Sequence, residues 1–352
     1  MISFVGRGSI KNLSGIFQSE GAVNILVFSG KKSYQPIKNI IESQLSNCIF
    51  EYYNDFSNNP KEEEVKVAIE KLRGKKYDII LAVGGGSVID FAKAYRYYIK
   101  QLFKFIAIPT TSGTGSEVTQ FAVIYRNSIK TSIDNPFILP DYAIVDSQFI
   151  ENSPKYLKAC TAMDAYCQAI ESYWAVKSTE ESRKYAQRAI ELCRDNIVRY
   201  VVSNDICASE NMMLASHLAG KAINISYTTA AHALSYAITM NYGIPHGHAV
   251  ALNIAQLMIS NFNVTIDNVN DNRGIDFVKT KMKELSEFIS YNPEKYFRKL
   301  FKDLELEYSY SNLKICDFDK LVSQVNINRL DNNPRKFTTN ELKKILERSM
   351  VG

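Results

Sequence analysis

Residues 78–98, DIILAVGGGSVIDFAKAYRYY, run from an apolar strand-like segment through three consecutive glycines into a helix-like segment. No other feature restricts the fold as much. A strand that passes directly into a helix is half of a crossover, and parallel strands need such crossovers. Similar units surround it. NILVFSG (24–30), FKFIAIPTT (103–111) and DYAIVD (141–146) are short apolar strand candidates. Between the first two, PKEEEVKVAIEKLRGKKY (60–77) has Pro at a helix start, acids in the first turn and Lys/Arg in the last. This rhythm predicts a parallel sheet with helices on both faces.

Beyond about residue 155 the pattern changes. PKYLKACTAMDAYCQAIESYWAV and EESRKYAQRAIELCRDNIVRYVV carry apolar residues at helical spacing, and strand-like runs cease. NFNVTIDNVNDNRG (261–274) is predicted to be a loop and TTNELKKILERSM a capped helix. A chain of 352 residues exceeds a single ordinary core. The expectation is an α/β dinucleotide-binding domain over 1–155 and an all-helical metal- and substrate-binding domain over 156–352.

The formal net charge of +5 is spread among interspersed acids, which argues against a nucleic-acid partner. The six cysteines, at 48, 160, 167, 193, 207 and 316, form no CxxC pair. A reduced, cytoplasmic setting is expected, with no membrane partner, because MISFVGRGSI is no signal peptide and no long apolar run occurs.

Two loops and one histidine cluster carry the chemistry. Gly84, Gly85, Gly86 and Ser87 lie where a strand meets a helix N-terminus, the place where backbone N–H groups and the helix dipole favour a pyrophosphate. Three glycines alone fit a ligand-free turn equally well. A second strand-end loop rich in hydroxyls, PTTSGTGSE (109–117), shifts the reading towards a nucleotide, although the spacing is not GxGxxG. Of four histidines, three stand together in TTAAHALSYAITMNYGIPHGHAVAL: His232, His246 and His248. Asp164 and Gln168 are one helical turn apart, and Gly243 with Pro245 lets His246 turn back towards His232. One carboxylate and two imidazoles suit a divalent metal such as Fe(II) or Zn(II), although each residue taken singly is more often structural.

Together, GGGSVIDFAKA, IPTTSGTGSEVT, MDAYCQAIESY, AAHALSY and GIPHG resemble the iron-containing alcohol dehydrogenase family, in its order and spacing, as do VGRGSIKNL and NNPRKFTTNELKKIL at the two ends. The resemblance implies a metal-dependent, NAD(P)H-using oxidoreductase of small aldehydes, expected as a homo-oligomer. It implies that Gly85, Gly86, Ser87 and Asp90 hold the pyrophosphate. Thr110, Thr111 and Thr114 would line the phosphates and nicotinamide, with Lys130 near a ribose. Asp164, Gln168, His232 and His246 would ligate the metal, the two histidines serving catalysis. Three positions depart from the family pattern. Gln168 stands where His is usual, Tyr236 replaces a further His, and Gly30 ends a strand where NAD-preferring relatives tend to place Asp. The histidine region resembles the phosphonoacetaldehyde reductase type, so Lys221 and His248 are expected to bind a phosphonate, and NADPH is the expected donor. Other enzymes of the superfamily, including short-chain alcohol and glycerol-1-phosphate dehydrogenases, and a non-catalytic nucleotide binder are the alternatives.

Overall fold

The computed structural model describes residues 1–44, 48–127 and 129–349, which form two units, Met1–Ser153 and Pro154–Gly352. The first contains eight strands: β1 (Ile2–Val5), β2 (Asn24–Ser29), β3 (Ile49–Tyr53), β4 (Ile79–Gly84), β5 (Lys104–Pro109), β6 (Phe121–Arg126), β7 (Ile129–Asp134) and β8 (Tyr142–Val145). Its helices are α1 (Asn12–Ser19), α2 (Lys38–Gln44), α3 (Glu62–Lys71) and α4 (Gly86–Ile99). Six strands make one sheet in the order β3-β2-β4-β5-β8-β1, with every neighbour parallel. β6 and β7 form a separate antiparallel hairpin.

Burial on both faces explains why the central strands read as unbroken apolar runs. On β4, Ile79, Leu81 and Val83 pack with Leu13, Ile16 and Phe17 of α1. Ile80 and Ala82 face the other way, towards Val65 and Ala68 of α3 and Phe91 and Ala92 of α4. The chain runs from β2 to β3 on one side and then from β3 back past β2 to β4 on the other. The carboxyl ends of β2 and β4 therefore flank the switch point, where such sheets bind ligands. Gly30 and the glycine triplet stand at these ends.

Three local expectations are revised. Pro60 precedes the helix rather than opening it, because the Glu64 carboxylate accepts from the Lys61 N–H at 2.9 Å and starts α3 at Glu62. The helix stops at Lys71, before Gly74 at φ +79°, instead of reaching residue 77. β1, β3 and the hairpin add to the expected strands, β1 and β3 being edge strands whose exposed apolar residues, such as Ile49 at 67%, lack a buried-strand pattern.

Helices fill the second unit: α5 (Lys155–Trp174), α6 (Glu180–Ser203), α7 (Ile206–Ser226), α8 (Ala230–Tyr242), α9 (His246–Phe262), α10 (Ile275–Phe288), α11 (Pro293–Asp303), α12 (Phe318–Ser323), α13 (Ile327–Leu330) and α14 (Thr339–Arg348). α5 is its axis, packed against α6, α7 and α9 and buried from Ala162 to Trp174. Arg273 fixes the end of α5 by donating to the Ala175 and Ser178 carbonyls while paired with Asp271 at 2.6 Å. α14 begins with the expected cap, Thr338 and Glu341 satisfying each other's N–H groups.

Candidate metal centre and nucleotide loops

Asp164, Gln168 and Glu171 recur on α5 at i, i+4 and i+7, so they share one face. Glu171 is fully buried and receives the N-terminus of α8. Its carboxylate accepts from the Thr229 N–H and hydroxyl, at 3.1 and 2.7 Å, and from the Ala231 N–H at 2.8 Å. It thus satisfies first-turn donors that Thr229 leaves uncapped. It also accepts from Nδ1 of His232. Burial opposes a charge on Glu171, but His232 and the surrounding donors prevail and hold its carboxyl below the ordinary range. For His232, burial is likewise outweighed, here by Glu171 and Asp164, which push its pKa up to about 9. A metal would therefore displace a proton from this imidazole. With Nδ1 committed to Glu171, Nε2 is directed at Asp164, 3.4 Å from Oδ1.

α8 ends at Gly243, whose φ of +68° suits a left-handed cap, and Pro245 leads directly into α9. His246 is the first residue of α9, its ring 5.3 Å from that of His232. Gly247 permits this approach. A Cβ there would lie 2.0 Å from the Cys160 carbonyl oxygen and 2.7 Å from Asp164 Cβ. No side chain fits between the start of α9 and the backbone of α5.

Ser235 bridges the two histidines. Its hydroxyl donates to the His232 carbonyl at 2.7 Å and lies 3.2 Å from Nδ1 of His246. A carbonyl cannot donate, so the single hydroxyl hydrogen is spent there. Ser235 then accepts from Nδ1–H of His246, leaving Nε2 with its lone pair. Tyr236 stacks on the same imidazole, 5.3 Å between centroids and 4° from parallel.

One donor atom each from Asp164, His232 and His246 lie within 4.8 Å of one another. Gln168 Oε1 is buried with no hydrogen-bond partner among the described residues, and His232 Nε2 has only the Asp164 carboxylate before it, at 3.4 Å. Such atoms are costly unless something binds them. One carboxylate, two imidazoles and a carboxamide fit a divalent first-row metal.

In the first unit, the glycine triplet has a second purpose. A Cβ on Gly86 would meet Thr114 Cγ2 at 2.7 Å, and one on Gly85 would touch Thr111 at 3.4 Å. The glycines let the threonine loop pack onto the start of α4, where the first N–H groups have no helical acceptor. Thr110 holds the loop to β4 through its N–H and the Gly84 carbonyl, 3.1 Å. Its buried hydroxyl lacks a hydrogen-bond partner among the described residues, as a ligand-facing group would.

Several expected residues serve other contacts. The Ser87 hydroxyl donates to the Asn58 carbonyl. Asp90 is turned towards the protein, accepting from Ser116 Oγ at 2.5 Å and the Val123 N–H at 2.9 Å. It braces the threonine loop instead of facing a phosphate. Lys130, on β7, lies close enough to Asp90 to favour its charge, although burial dominates and raises that carboxyl. The expected anion pair, Lys221 and His248, makes contacts of its own. Lys221 lies over the Tyr185 ring of α6, 5.7 Å from its centroid. The two nitrogens of buried His248 engage the Glu307 carbonyl at 2.7 Å and the Tyr156 hydroxyl at 3.2 Å, joining α9 to α5 and the segment after α11. Conversely, no sequence motif marks Glu171, Ser235 or Gly247 as part of the site. Only Glu171 left a signal, its i+7 spacing from Asp164.

The comparisons agree with this geometry. Residues 2–147 match the model of the iron-containing alcohol dehydrogenases, and 158–350 match that of the Fe-containing alcohol dehydrogenase family, C-terminal. The NADPH-dependent butanol dehydrogenase of Clostridium saccharobutylicum is 31% identical over 314 residues, 82% of this chain and 81% of its own. The phosphonoacetaldehyde reductase of Streptomyces viridochromogenes is 26% identical over 322 residues, 82% and 80% of the two chains. A crystal structure of the iron-containing alcohol dehydrogenase of Thermotoga maritima superposes with a TM-score of 0.84 at 26% identity, covering 99% of this chain and 98% of that one. With its parallel sheet, helical half and buried metal-type cluster, this chain belongs to the iron-containing alcohol dehydrogenase family and is an NAD(P)-dependent oxidoreductase of alcohols and aldehydes.

Proposed function

We propose that this protein reduces a small aldehyde with NADPH at a divalent metal held by Asp164, Gln168, His232 and His246, phosphonoacetaldehyde being the first substrate to test. The convergence of buried Asp164 and His232 with half-buried His246, and the hold of Glu171 on His232 from behind, carries the reading. When bound, the metal supplies Lewis-acid polarisation of the carbonyl oxygen, which makes the carbon a hydride acceptor. Glu171 and Ser235 keep both imidazoles in the tautomer whose Nε2 can ligate. Burial of the cluster excludes water and strengthens each electrostatic contact. Gly85, Gly86 and the threonines of 110–114 receive the cofactor phosphates, with the first N–H groups of α4 as donors. At the end of β2, Gly30 carries no acid, and Lys31 and Lys32 follow, which favours a 2′-phosphate over a free ribose hydroxyl. The relative from Streptomyces viridochromogenes supports phosphonoacetaldehyde, to be reduced to 2-hydroxyethylphosphonate.

The test is NADPH oxidation over a panel of aldehydes, before and after chelation and with Fe(II) or Zn(II) restored. Chelation is expected to lower turnover roughly 10³-fold, consistent with several kcal/mol of charge stabilisation. Full activity in metal-free protein overturns the metal assignment.

A further inference from the structure

We propose that Arg329 is the substrate's anion receptor, and that the preferred aldehydes carry a tetrahedral oxyanion. This rests on the reading of the metal cluster as the aldehyde site and adds what recognises the other end of the molecule.

Three neighbouring groups make the case. His246 stacks on Tyr236, and the Arg329 guanidinium lies over that same Tyr236, its Cζ 4.6 Å from the ring centroid. Nη1 of Arg329 donates to the Tyr236 hydroxyl at 2.8 Å. The cation is therefore held one aromatic ring from a candidate metal ligand, in a fixed orientation. Tyr236 sits one turn after His232 on α8, so this anchor belongs to the same helix as the cluster.

Its pairing sets Arg329 apart from most arginines of the helical unit. Arg273, Arg298 and Arg335 each hold a carboxylate, those of Asp271, Glu294 and Glu341. Arg183 donates to the Ser178 carbonyl and hydroxyl. Arg329 is half-buried, and among the described residues no carboxylate lies within ion-pair distance of it. A guanidinium has five N–H donors, and the tyrosine hydroxyl takes one. A half-buried cation with unused donors in a planar fork is suited to a phosphonate, sulfonate or phosphate group, which it can bind bidentately. A neutral aldehyde gains nothing from it. Because stacking and one hydrogen bond pre-orient the side chain, little rotamer entropy is lost when the anion binds. Lys221, on α7 beside Tyr185, is not needed for this role.

The test compares phosphonoacetaldehyde with 3,3-dimethylbutanal, a neutral aldehyde of the same branching, in metal-loaded wild type, Arg329→Met and Arg329→Lys. Wild type is expected to favour the phosphonate by about 10²-fold in kcat/KM. Arg329→Met is expected to erase that preference, chiefly through KM, with the neutral aldehyde changed less than about three-fold and metal content unchanged. Arg329→Lys keeps the charge without the fork and should recover part of the preference. Methylphosphonate binding to the holoenzyme, measured calorimetrically, should be lost in Arg329→Met, and this readout needs no turnover. Should that variant not fold, Tyr236→Phe, which removes the anchoring hydroxyl and keeps the ring, should weaken methylphosphonate binding several-fold. Inorganic phosphate should compete with the phosphonate substrate in wild type and lose that effect in Arg329→Met. A site for free phosphate alone would instead inhibit both aldehydes equally, and that result overturns the proposal. So would equal losses on both aldehydes, which would make Arg329 a support for Tyr236, or unchanged methylphosphonate binding. Turnover of neither aldehyde by wild type, with methylphosphonate still bound through Arg329, would defeat the aldehyde reading and leave the anion site standing.

Discussion

The nucleotide loops and the metal cluster are built by opposite means. In the first unit the candidate site is mostly backbone: glycines that receive a neighbouring loop and N–H groups at the start of α4. In the second it is mostly side chain: a carboxylate, a carboxamide and two imidazoles from three helices, with each imidazole oriented by a further residue. A backbone site needs small residues in sequence order. A side-chain site needs partners that arrive from elsewhere in the chain, and it pays for burying them unless every polar atom is used. The second site should therefore be the more fragile.

Gly247→Ala tests this most severely. The new Cβ meets a backbone carbonyl at 2.0 Å, which cannot rotate away, so α9 must shift and carry His246 with it. Stability should fall by about 2–3 kcal/mol in urea unfolding, with metal binding lost beyond detection. The counterpart Gly86→Ala meets the side chain of Thr114, which can move, and should cost about 1 kcal/mol and leave metal binding intact. Equal damage from both would erase the contrast drawn between the two sites.

Glu171→Gln comes next. The amide keeps the shape but cannot accept from every donor around it, and it no longer sustains charge near His232. Metal affinity should drop about 10–100-fold in a competition titration. Wild-type affinity in this variant would show that His232 is held by packing alone.

Ser235→Ala is milder, because Tyr236 still stacks on His246. It releases the Nδ1 tautomer, and metal affinity should weaken about 10-fold with little change in stability. Ser235→Thr retains a hydroxyl and should restore most of it.

The smallest effect is expected on the backbone side. Gly30→Asp requires only that the Ser33 hydroxyl turn away, since that atom would lie 2.3 Å from the added Cβ. The variant should shift the NADPH to NADH ratio of kcat/KM several-fold towards NADH. A wild type already selective for NADH would refute the role given to Gly30 and the lysines after it.

Local order explains what could be read in advance. The strand-glycine-helix run of 78–98, the three other buried strands and the capped α14 are each contiguous, and their periodicity reports the environment each residue will meet. Edge strands β1 and β3 carry no such pattern, because their outer faces meet solvent. Lys221 is a candidate anion receptor because its neighbours on the helix are apolar, but helical spacing does not tell which ring its ammonium meets; in the fold it lies over Tyr185. His248 differs from His246 by two positions on one helix, enough to turn it towards Tyr156 and Glu307.

What the sequence determined by itself was the class of the molecule: a parallel α/β half followed by helices, two loops rich in glycine and hydroxyls at strand ends, and a short roster of metal-type residues. Periodicity and glycine placement suffice for these, because they act over a few residues. Only the tertiary structure decided which of those residues meet. Glu171 reaches His232 across 61 positions, and Gly247 matters solely because α5 passes 2.0 Å from its missing side chain. Tautomers, orphaned donors and the Tyr236–Arg329 stack arise where separate helices pack, and close packing between distant segments leaves no local trace in the chain.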